Sequence, residues 1–226
     1  MAINKNSNLY TVLYTVVMVV IVGVLLATVA TVLKPMQEAN VLNEQKSSIM
    51  KAFGDENGNF ADVKVYVLGE NGARLELTSD ADIKKVFELI SNRKDLAAAN
   101  LESGLPYFEY DKKIVIPIVG KGLWGDIWGY IALKQGDNGV QVAGIVMDHA
   151  GETPGLGAEI ATEDVQKKFV GKYLFNGEDF ALRMQKGGAK QGMEDFQVDA
   201  ITGGTKTCDG VNLMLVESLM KYESLF

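Results

Sequence analysis

An uninterrupted apolar stretch near the N-terminus limits what this chain can fold into. No charged residue occurs from Asn6 to Leu33, and the 25 residues from Leu9 to Leu33 are dominated by Val, Leu, Thr and Ala. As a helix, this run would be about 37 Å long, enough to cross a hydrocarbon core about 30 Å thick. A cleaved signal peptide has an apolar core of only about 7–15 residues. The sequence therefore predicts an uncleaved transmembrane helix.

The charges that flank this helix leave its orientation open. Lys5 precedes the apolar run, whereas Lys34, Lys46 and Lys51 follow it. Because an excess of positive charge normally marks the cytoplasmic side, lysines on both sides give no clear preference. The residues alone therefore do not decide which side of the membrane carries the larger part of the chain.

The residues after the apolar run form an acidic segment with few metal-binding side chains. Residues 35–226 contain 20 basic and 29 acidic residues, a net charge of −9. Such a charge disfavours nucleic acid and suits protein partners better. The single cysteine, Cys208, and the single histidine, His149, exclude an internal disulfide, an iron–sulfur cluster held by this chain alone and a zinc site with two histidines. We therefore predict neither a nucleic-acid partner nor a metal site.

The spacing of apolar residues after Lys34 predicts a mixture of helices and strands. Gly54 suits the end of a helix, Pro35 suits the start of one, and Thr162 is a predicted N-cap. Two glycine-containing turns, residues 70–72 and 136–139, each join a pair of alternating segments. Helices are predicted over residues 37–53, 81–98, 162–170 and 208–225, and strands over 63–68, 73–77, 113–119, 126–133, 140–147 and 180–184.

These elements predict an α+β fold in which a single N-terminal transmembrane helix precedes one compact domain. The predicted divisions are a short tail over residues 1–8, the transmembrane helix over 9–33, a helical stalk over 34–54 and the α+β domain over 55–226. No internal repeat and no low-complexity linker interrupts the domain.

The first of three glycine-rich loops, Gly120 to Gly125, has the spacing of a dinucleotide-binding fingerprint. The residues that follow it are rich in β-formers, so no helix N-terminus is available to hold a phosphate. A Rossmann domain is therefore disfavoured, and a turn between two strands is expected. Trp124 in this loop suits a flat ligand, although a buried core position suits a tryptophan equally well.

The second and third glycine-rich loops offer polar groups that a ligand could use. Residues 148–157 contain three glycines and a threonine, which suits either a ligand-binding loop or a long surface turn. In the third loop, Thr205 precedes the last predicted helix, where a hydroxyl either caps the helix or lies beside a bound phosphate. Gly203 and Gly204 leave Thr205 accessible to a modifying enzyme, and Lys206 would add a positive charge.

Taken together, the three loops resemble the FMN-binding domain family. The motifs that carry the resemblance are Gly122-Leu123-Trp124, Glu152-Thr153-Pro154-Gly155-Leu156-Gly157 and Asp199-x-x-Thr202-Gly203-x-Thr205. The resemblance covers essentially the whole chain. Within the family it points to the C subunits of Na⁺-translocating NADH:quinone oxidoreductases, with the G subunits of Rnf electron-transport complexes as the alternative. Gly204 departs from the family pattern, which has Ala there, and the departure leaves the threonine hydroxyl intact.

The resemblance implies that FMN is bound covalently, through a phosphoester to Thr205, and that a separate flavin transferase attaches it. It places the flavin ring near Trp124, Glu152, Thr153, Leu156, Gly157 and Lys186. It also implies that Asp199 and Thr202 shape the loop that presents Thr205, and that Gly203 and Gly204 belong to the cofactor-binding residues. No catalytic residue is implied, because the chain would be an electron carrier without its own NADH or quinone site.

The resemblance also implies partners and a location. Electrons would come from an iron–sulfur centre in a donor subunit and pass to a second covalent flavin in a neighbouring subunit, on the way to quinone. The chain would span the bacterial inner membrane once, with residues 1–8 cytoplasmic and its domain periplasmic. Two other classes remain open from the residues alone, namely a membrane-anchored solute-binding protein and a structural subunit without flavin.

Overall fold

One long helix, α1 (Asn8–Phe53), carries the apolar run and continues beyond it. The computed structural model describes residues 8–226, so the predicted tail lies outside the described residues except for Asn8. The chain divides into two compact units, one ending at Glu44 and the other running from Gln45 to Phe226. Within the described part, α1 is the one helix long and apolar enough to cross a membrane.

The prediction that a new helix begins at Pro35 is wrong, because Pro35 lies inside α1. Proline lacks the N–H that would bond to the carbonyl four residues earlier, so the helix loses one hydrogen bond there. The apolar part of α1 also contains threonines whose hydroxyls stay satisfied within the helix. The hydroxyl of Thr31 donates to the carbonyl of Ala27 at 2.8 Å, and Thr28 and Thr15 make the same bond to the carbonyl four residues earlier.

Residues 45–226 form an α+β domain, whereas the predicted domain covers 55–226, and its strands and helices follow one another in a mixed order. After α1 come β1 (Lys64–Leu68), β2 (Arg74–Leu77), α2 (Asp80–Ser91), α3 (Arg93–Ala98), β3 (Leu105–Tyr110), β4 (Lys113–Lys121), β5 (Asp126–Gly136) and β6 (Gly139–His149). They are followed by α4 (Glu163–Lys167), β7 (Phe175–Asn176), β8 (Asp179–Phe180), β9 (Arg183–Gln185), β10 (Gln197–Asp199) and α5 (Thr205–Leu219).

Six strands form one antiparallel sheet in the order β2-β1-β3-β4-β5-β6. One face of the sheet packs against α5, where Val211 and Met214 share a buried cluster with Ile116 and Ile118 of β4. The other face packs against α2 and the end of α1. There Phe87 of α2 contacts Phe108 of β3, with ring centroids 5.9 Å apart.

On each face of the sheet, a glycine allows a helix to pack closely against a strand. A Cβ atom on Gly144 of β6 would lie 2.2 Å from the carbonyl oxygen of Ala52 in α1. A Cβ atom on Gly120 of β4 would lie 2.7 Å from Cβ of Met214 in α5. Both distances are far below van der Waals contact, so the two helices reach the sheet only because these positions carry no side chain.

Several predicted elements differ from the observed ones. The predicted helix over residues 81–98 is interrupted at Asn92, and the predicted strand over 180–184 is divided between β8 and β9. No sequence pattern predicts β3, because its first four residues are all buried and show no alternation. The hydroxyl of Thr162 donates to the carbonyl of Glu159 at 2.7 Å instead of capping α4.

We expect Gly144→Ala to destabilise the domain by about 1–3 kcal/mol, because the added methyl group must displace the Ala52 carbonyl. Thermal unfolding of the full chain in detergent measures this loss. Gly151→Ala is the matched control, since a Cβ there meets nothing within 4 Å. A Gly144→Ala chain as stable as the Gly151→Ala chain would contradict this close contact.

Candidate functional site

Three loops meet at the N-terminal end of α5 and enclose a cleft of about 120 Å³. They are the turn between β4 and β5, the loop between β6 and α4, and the loop between β10 and α5. Eight predicted site residues line the cleft: Trp124, Glu152, Thr153, Leu156, Gly157, Gly203, Gly204 and Thr205. Three further residues line it as well: Leu123, Lys206 and Thr207.

The carboxylate of Glu152 joins the three loops. Its Oε1 atom accepts a hydrogen bond from the backbone N–H of Trp124 at 2.8 Å. Its Oε2 atom accepts from the hydroxyl of Thr207, in the first turn of α5, at 2.6 Å. The Glu152 side chain is buried, with 4% of its surface exposed. A single buried carboxylate therefore fixes the β4–β5 turn and the start of α5 relative to the second loop.

The environment of Glu152 favours its ionised form. Burial by itself would raise its pKa. The hydroxyl of Thr207 and the backbone N–H groups of Trp124, Gly125 and Leu123 oppose this effect and hold the pKa below its usual value. The backbone N–H of Glu152 itself donates to Nδ1 of His149 at 3.1 Å, which places the only histidine in a structural role.

Glycine is required at two positions beside this carboxylate. A Cβ atom on Gly157 would lie 2.3 Å from Oγ1 of Thr207 and 2.5 Å from Oε2 of Glu152. A Cβ atom on Gly122 would lie 2.5 Å from Oε1 of Glu152. Any larger residue at either position would push the carboxylate away from its donors.

The loop before α5 presents Thr205 at the surface. The N–H of Gly204 donates to the carbonyl of Ile201 at 3.0 Å, which closes a tight turn in which Gly203 has a φ of +78°. Thr205 is the first residue of α5 and is exposed. Its side chain makes no hydrogen bond to any of residues 8–226, so it does not cap the helix.

The first turn of α5 also leaves backbone donors available. The first hydrogen bond of the helix runs from the N–H of Cys208 to the carbonyl of Gly204 at 2.9 Å. Within the part of the chain that the structure describes, the N–H groups of Thr205, Lys206 and Thr207 have no acceptor. Three N–H groups without acceptors at the positive end of a 15-residue helix form a suitable binding site for a phosphate.

Apolar side chains beside this helix end are open to solvent. Leu123 is 55% exposed, Trp124 is 69% exposed and Leu156 is 41% exposed. The interpretation of Trp124 as a buried core residue is therefore wrong. Leu156 lies against the turn before α5, because a Cβ atom on Gly203 would be 2.5 Å from its Cδ2 atom. An aromatic ring system resting on these side chains would cover apolar surface that otherwise contacts water.

Three predicted site residues do not line the cleft. Asp199 ends β10, and its Oδ1 atom accepts a hydrogen bond from the N–H of Ala189 at 3.3 Å. It thereby fastens the loop after β9 that carries Lys186. Thr202 is exposed in the tight turn before α5. The end of β10 and the loop that carries Lys186 are thus joined, whereas Thr202 lies three residues before Thr205 in the turn that leads into α5.

Thr207 is the functional residue that the sequence prediction missed. It is 2% exposed and lies four residues before Val211, so it continues the buried stripe of α5 by one turn. The predicted helix begins at residue 208, which leaves Thr207 in a loop. A helix start at Thr205 would have revealed Thr207 as a buried polar residue in need of a partner.

The fold and the cleft define a membrane-anchored protein with a flavin-binding domain, and residues 122–219 match the family model described as FMN-binding domain. The C subunit of the Na⁺-translocating NADH-quinone reductase of Haemophilus ducreyi is 30% identical over 232 residues, which cover 92% of this chain and 88% of that protein. The chain belongs to the family of these reductase C subunits.

Two further relatives agree with this assignment. The C subunit from Chlamydia pneumoniae is 33% identical over 175 residues, covering 71% of this chain but only about half, 48%, of the relative. The crystal structure of the C subunit from Parabacteroides distasonis has a TM-score of 0.66 and 29% identity, and covers 85% of this chain and 96% of that chain. The predicted resemblance and the α+β fold are confirmed, and the chain is a flavoprotein subunit of the reductase complex.

We expect Thr207→Val to destabilise the domain by about 1–3 kcal/mol at pH 7, because a buried carboxylate loses a donor. The hydrogen bond from Thr207 lowers the pKa of Glu152 in the folded state. The bond therefore stabilises the fold fully at a pH above the pKa that Glu152 has in the unfolded chain. This stabilisation is lost as the pH falls through the pKa that Glu152 has in the folded chain. The difference in melting temperature from wild type should therefore be largest near pH 7 and shrink in acid. Thr207→Ser, which keeps the hydroxyl, should behave like wild type, and a pH-independent difference would refute the bond to an ionised carboxylate.

Proposed function

We propose that this chain carries FMN covalently on Thr205 and relays electrons within the Na⁺-translocating NADH-quinone reductase. The observation that carries the proposal is the position of Thr205, an exposed hydroxyl at the first residue of α5 and beside an apolar cleft. FMN supplies a ring system that accepts and releases electrons one or two at a time. The residues of this chain hold and orient that group.

The first turn of α5 would bind the phosphate of FMN. The free N–H groups of Thr205, Lys206 and Thr207 donate to its oxygens, and the helix dipole favours its negative charge. The ammonium group of Lys206 is exposed and lies 4.0 Å from Asp209, a distance long enough to leave it free to approach the phosphate. A phosphate esterified to Oγ1 of Thr205 keeps its negative charge at the end of the helix.

Attachment requires an activated flavin donor, and FAD supplies the matching chemistry. Oγ1 of Thr205 would form a bond to the phosphorus of the FMN half while the phosphoanhydride bond of FAD breaks. AMP leaves, and the hydroxyl proton passes to a base on the flavin transferase or to water. Thr205 is exposed at the end of the tight turn, so its hydroxyl is open to such an enzyme.

A covalent bond suits the shape of this cleft. Sites that bind drug-sized ligands reversibly enclose about 300–1,000 Å³. The cleft beside Thr205 has about 120 Å³, and apolar side chains such as Trp124 are exposed at its edge. Shallow contact alone would hold a flavin weakly, whereas an ester bond prevents its loss. The same dimensions disfavour reversible binding of a drug-sized solute in this cleft.

The proposal extends to partners and topology. Residues 35–226 would face the periplasm, with α1 as the single membrane anchor. An iron–sulfur subunit would donate electrons, and a second subunit with a covalent flavin would accept them. The net charge of −9 after Lys34 supports protein partners over anionic lipid for the surface of this domain.

We expect Thr205→Val to abolish covalent flavin, because it removes the acceptor oxygen while keeping a side chain of similar shape. The full chain is coexpressed with an active flavin transferase, and flavin fluorescence is recorded on a denaturing gel. Thr205→Ser is the matched control and should stay fluorescent. Because the Thr205 side chain makes no hydrogen bond within residues 8–226, its loss should change stability by less than about 0.5 kcal/mol. A fluorescent Thr205→Val band, or a dark wild-type band, would contradict the assignment.

Reporter fusions to the C-terminus test the orientation. An alkaline phosphatase fused after Phe226 should be active, because this enzyme matures only in the periplasm. A green fluorescent protein fused at the same position should not fluoresce when the general secretory route exports it to the periplasm. The reverse pattern would place residues 35–226 in the cytoplasm and refute the proposed topology.

A further inference from the structure

Glu152 is unusual because it buries a charge. Among the Asp, Glu, Lys and Arg residues of the described chain, it is the one whose side chain is buried, with 4% exposed. Burial of an unpaired charge costs several kcal/mol, so proteins normally place a cation beside it or omit it. A neutral glutamine would make comparable hydrogen bonds to the same loops.

No cation compensates this charge within residues 8–226. Glu152 takes part in no ion pair there, and the largest influences on its pKa are burial, which raises it, and hydrogen bonds, which lower it. Of the two nearby lysines, Lys121 pairs with Asp126, and Lys206 lies 4.0 Å from Asp209 and makes no ion pair with Glu152. The carboxylate is stabilised only by neutral donors, the Thr207 hydroxyl and the N–H groups of the β4–β5 turn. The carboxylate therefore keeps a net negative charge that hydrogen-bond dipoles offset only in part.

The charge lies at the wall of the cleft. Glu152 lines the cleft together with Leu156, Gly157 and Thr205. Gly157 has no side chain, and any Cβ atom there would collide with both Oε2 of Glu152 and the Thr207 hydroxyl. In the low dielectric of a protein interior, a charge acts more strongly on its neighbours than it does in water.

We infer that Glu152 is a positioning and electrostatic residue whose buried negative charge lowers the reduction potential of the FMN on Thr205. This inference rests on the proposed function, because it requires the flavin to occupy the cleft. Reduction adds electrons to the flavin, and a fixed negative charge at the wall of its site opposes that addition. A less easily reduced flavin passes its electrons on more readily. The low pKa of Glu152 keeps the charge present throughout the neutral range.

The experiment compares midpoint potentials of the full chain in detergent after coexpression with the flavin transferase. Covalent flavin is first verified on a denaturing gel, and spectroelectrochemical titrations are then run from pH 6 to pH 8. Glu152→Gln removes the charge but keeps an oxygen for the Trp124 N–H and a polar group for Thr207. We expect its midpoint potential to be higher than wild type by a constant amount across this range. An unchanged or lower potential would overturn the inference.

Two further variants separate charge from structure. Thr207→Val breaks the same hydrogen bond but leaves the charge, so at pH 8 its potential should equal or fall below that of wild type. A rise in Thr207→Val would mean that disruption of the bond, and not loss of charge, shifts the potential. If Glu152→Gln acquires no flavin, a rise in the potential of Thr207→Val still overturns the inference.

Glu159→Gln is the charge control. Glu159 follows the same loop and accepts a hydrogen bond from the N–H of Gly155 at 3.2 Å, but it does not line the cleft. Its replacement should shift the potential much less than Glu152→Gln, and an equal shift would overturn the inference. A wild-type chain without covalent flavin contradicts the assignment of Thr205, whereas a loaded Glu152→Gln chain with an unshifted potential contradicts only the role of Glu152.

Discussion

The hydrogen bonds to the buried carboxylate of Glu152 are the constraint on which the site depends. They join the N–H of Trp124 and the hydroxyl of Thr207, residues that are 83 positions apart in the chain. Without them, the three loops would be connected mainly by their attachment to the sheet and to α5. Because both carboxylate oxygens are engaged, the relative position of the exposed Trp124 and of the start of α5 is fixed from inside the domain.

Helix α5 serves the core and the site at the same time. Its buried face, with Val211 and Leu215, packs against the sheet, while its first turn ends beside the cleft. Gly210 allows this arrangement, since a Cβ atom there would lie 2.2 Å from the carbonyl oxygen of Lys121 at the end of β4. The packed core thus holds the N-terminal end of α5 in place, and the N–H groups of the first turn of α5 remain available to a ligand. A site built on such an element is positioned more precisely than one built on loops alone.

Much of the domain follows from local patterns in the sequence. The long strands β4, β5 and β6 are predictable because they contain apolar runs bounded by glycine turns, and the loops between elements can be placed from those bounds. The predicted start of α5 is three residues late, because Gly203 and Gly204 disfavour helix and obscure its first turn. Eight of the predicted site residues lie together around one cleft, and their prediction comes from the resemblance to the FMN-binding domain family.

Features that depend on contacts between distant segments could not be predicted. The exposure of Trp124 depends on what packs over the β4–β5 turn, and no local pattern encodes that. The bond between Thr207 and Glu152 joins residues 55 positions apart. The carboxylate of Asp199 accepts a hydrogen bond from Ala189 in the loop that carries Lys186, a contact that depends on the parallel pairing of β9 and β10. A Cβ atom on Gly204 would lie 3.1 Å from Cγ2 of Ile201, a tight contact within the same turn.

Mass spectrometry of tryptic peptides tests the central claim most directly. Cleavage after Lys190 and Lys206 places Thr202 and Thr205 in one peptide and Thr207 in the next. After coexpression with the transferase, the peptide 191–206 should gain the mass of FMN minus water, with fragment ions that assign the addition to Thr205. Flavin on Thr202, on the peptide that begins at Thr207, or on neither peptide would contradict the account.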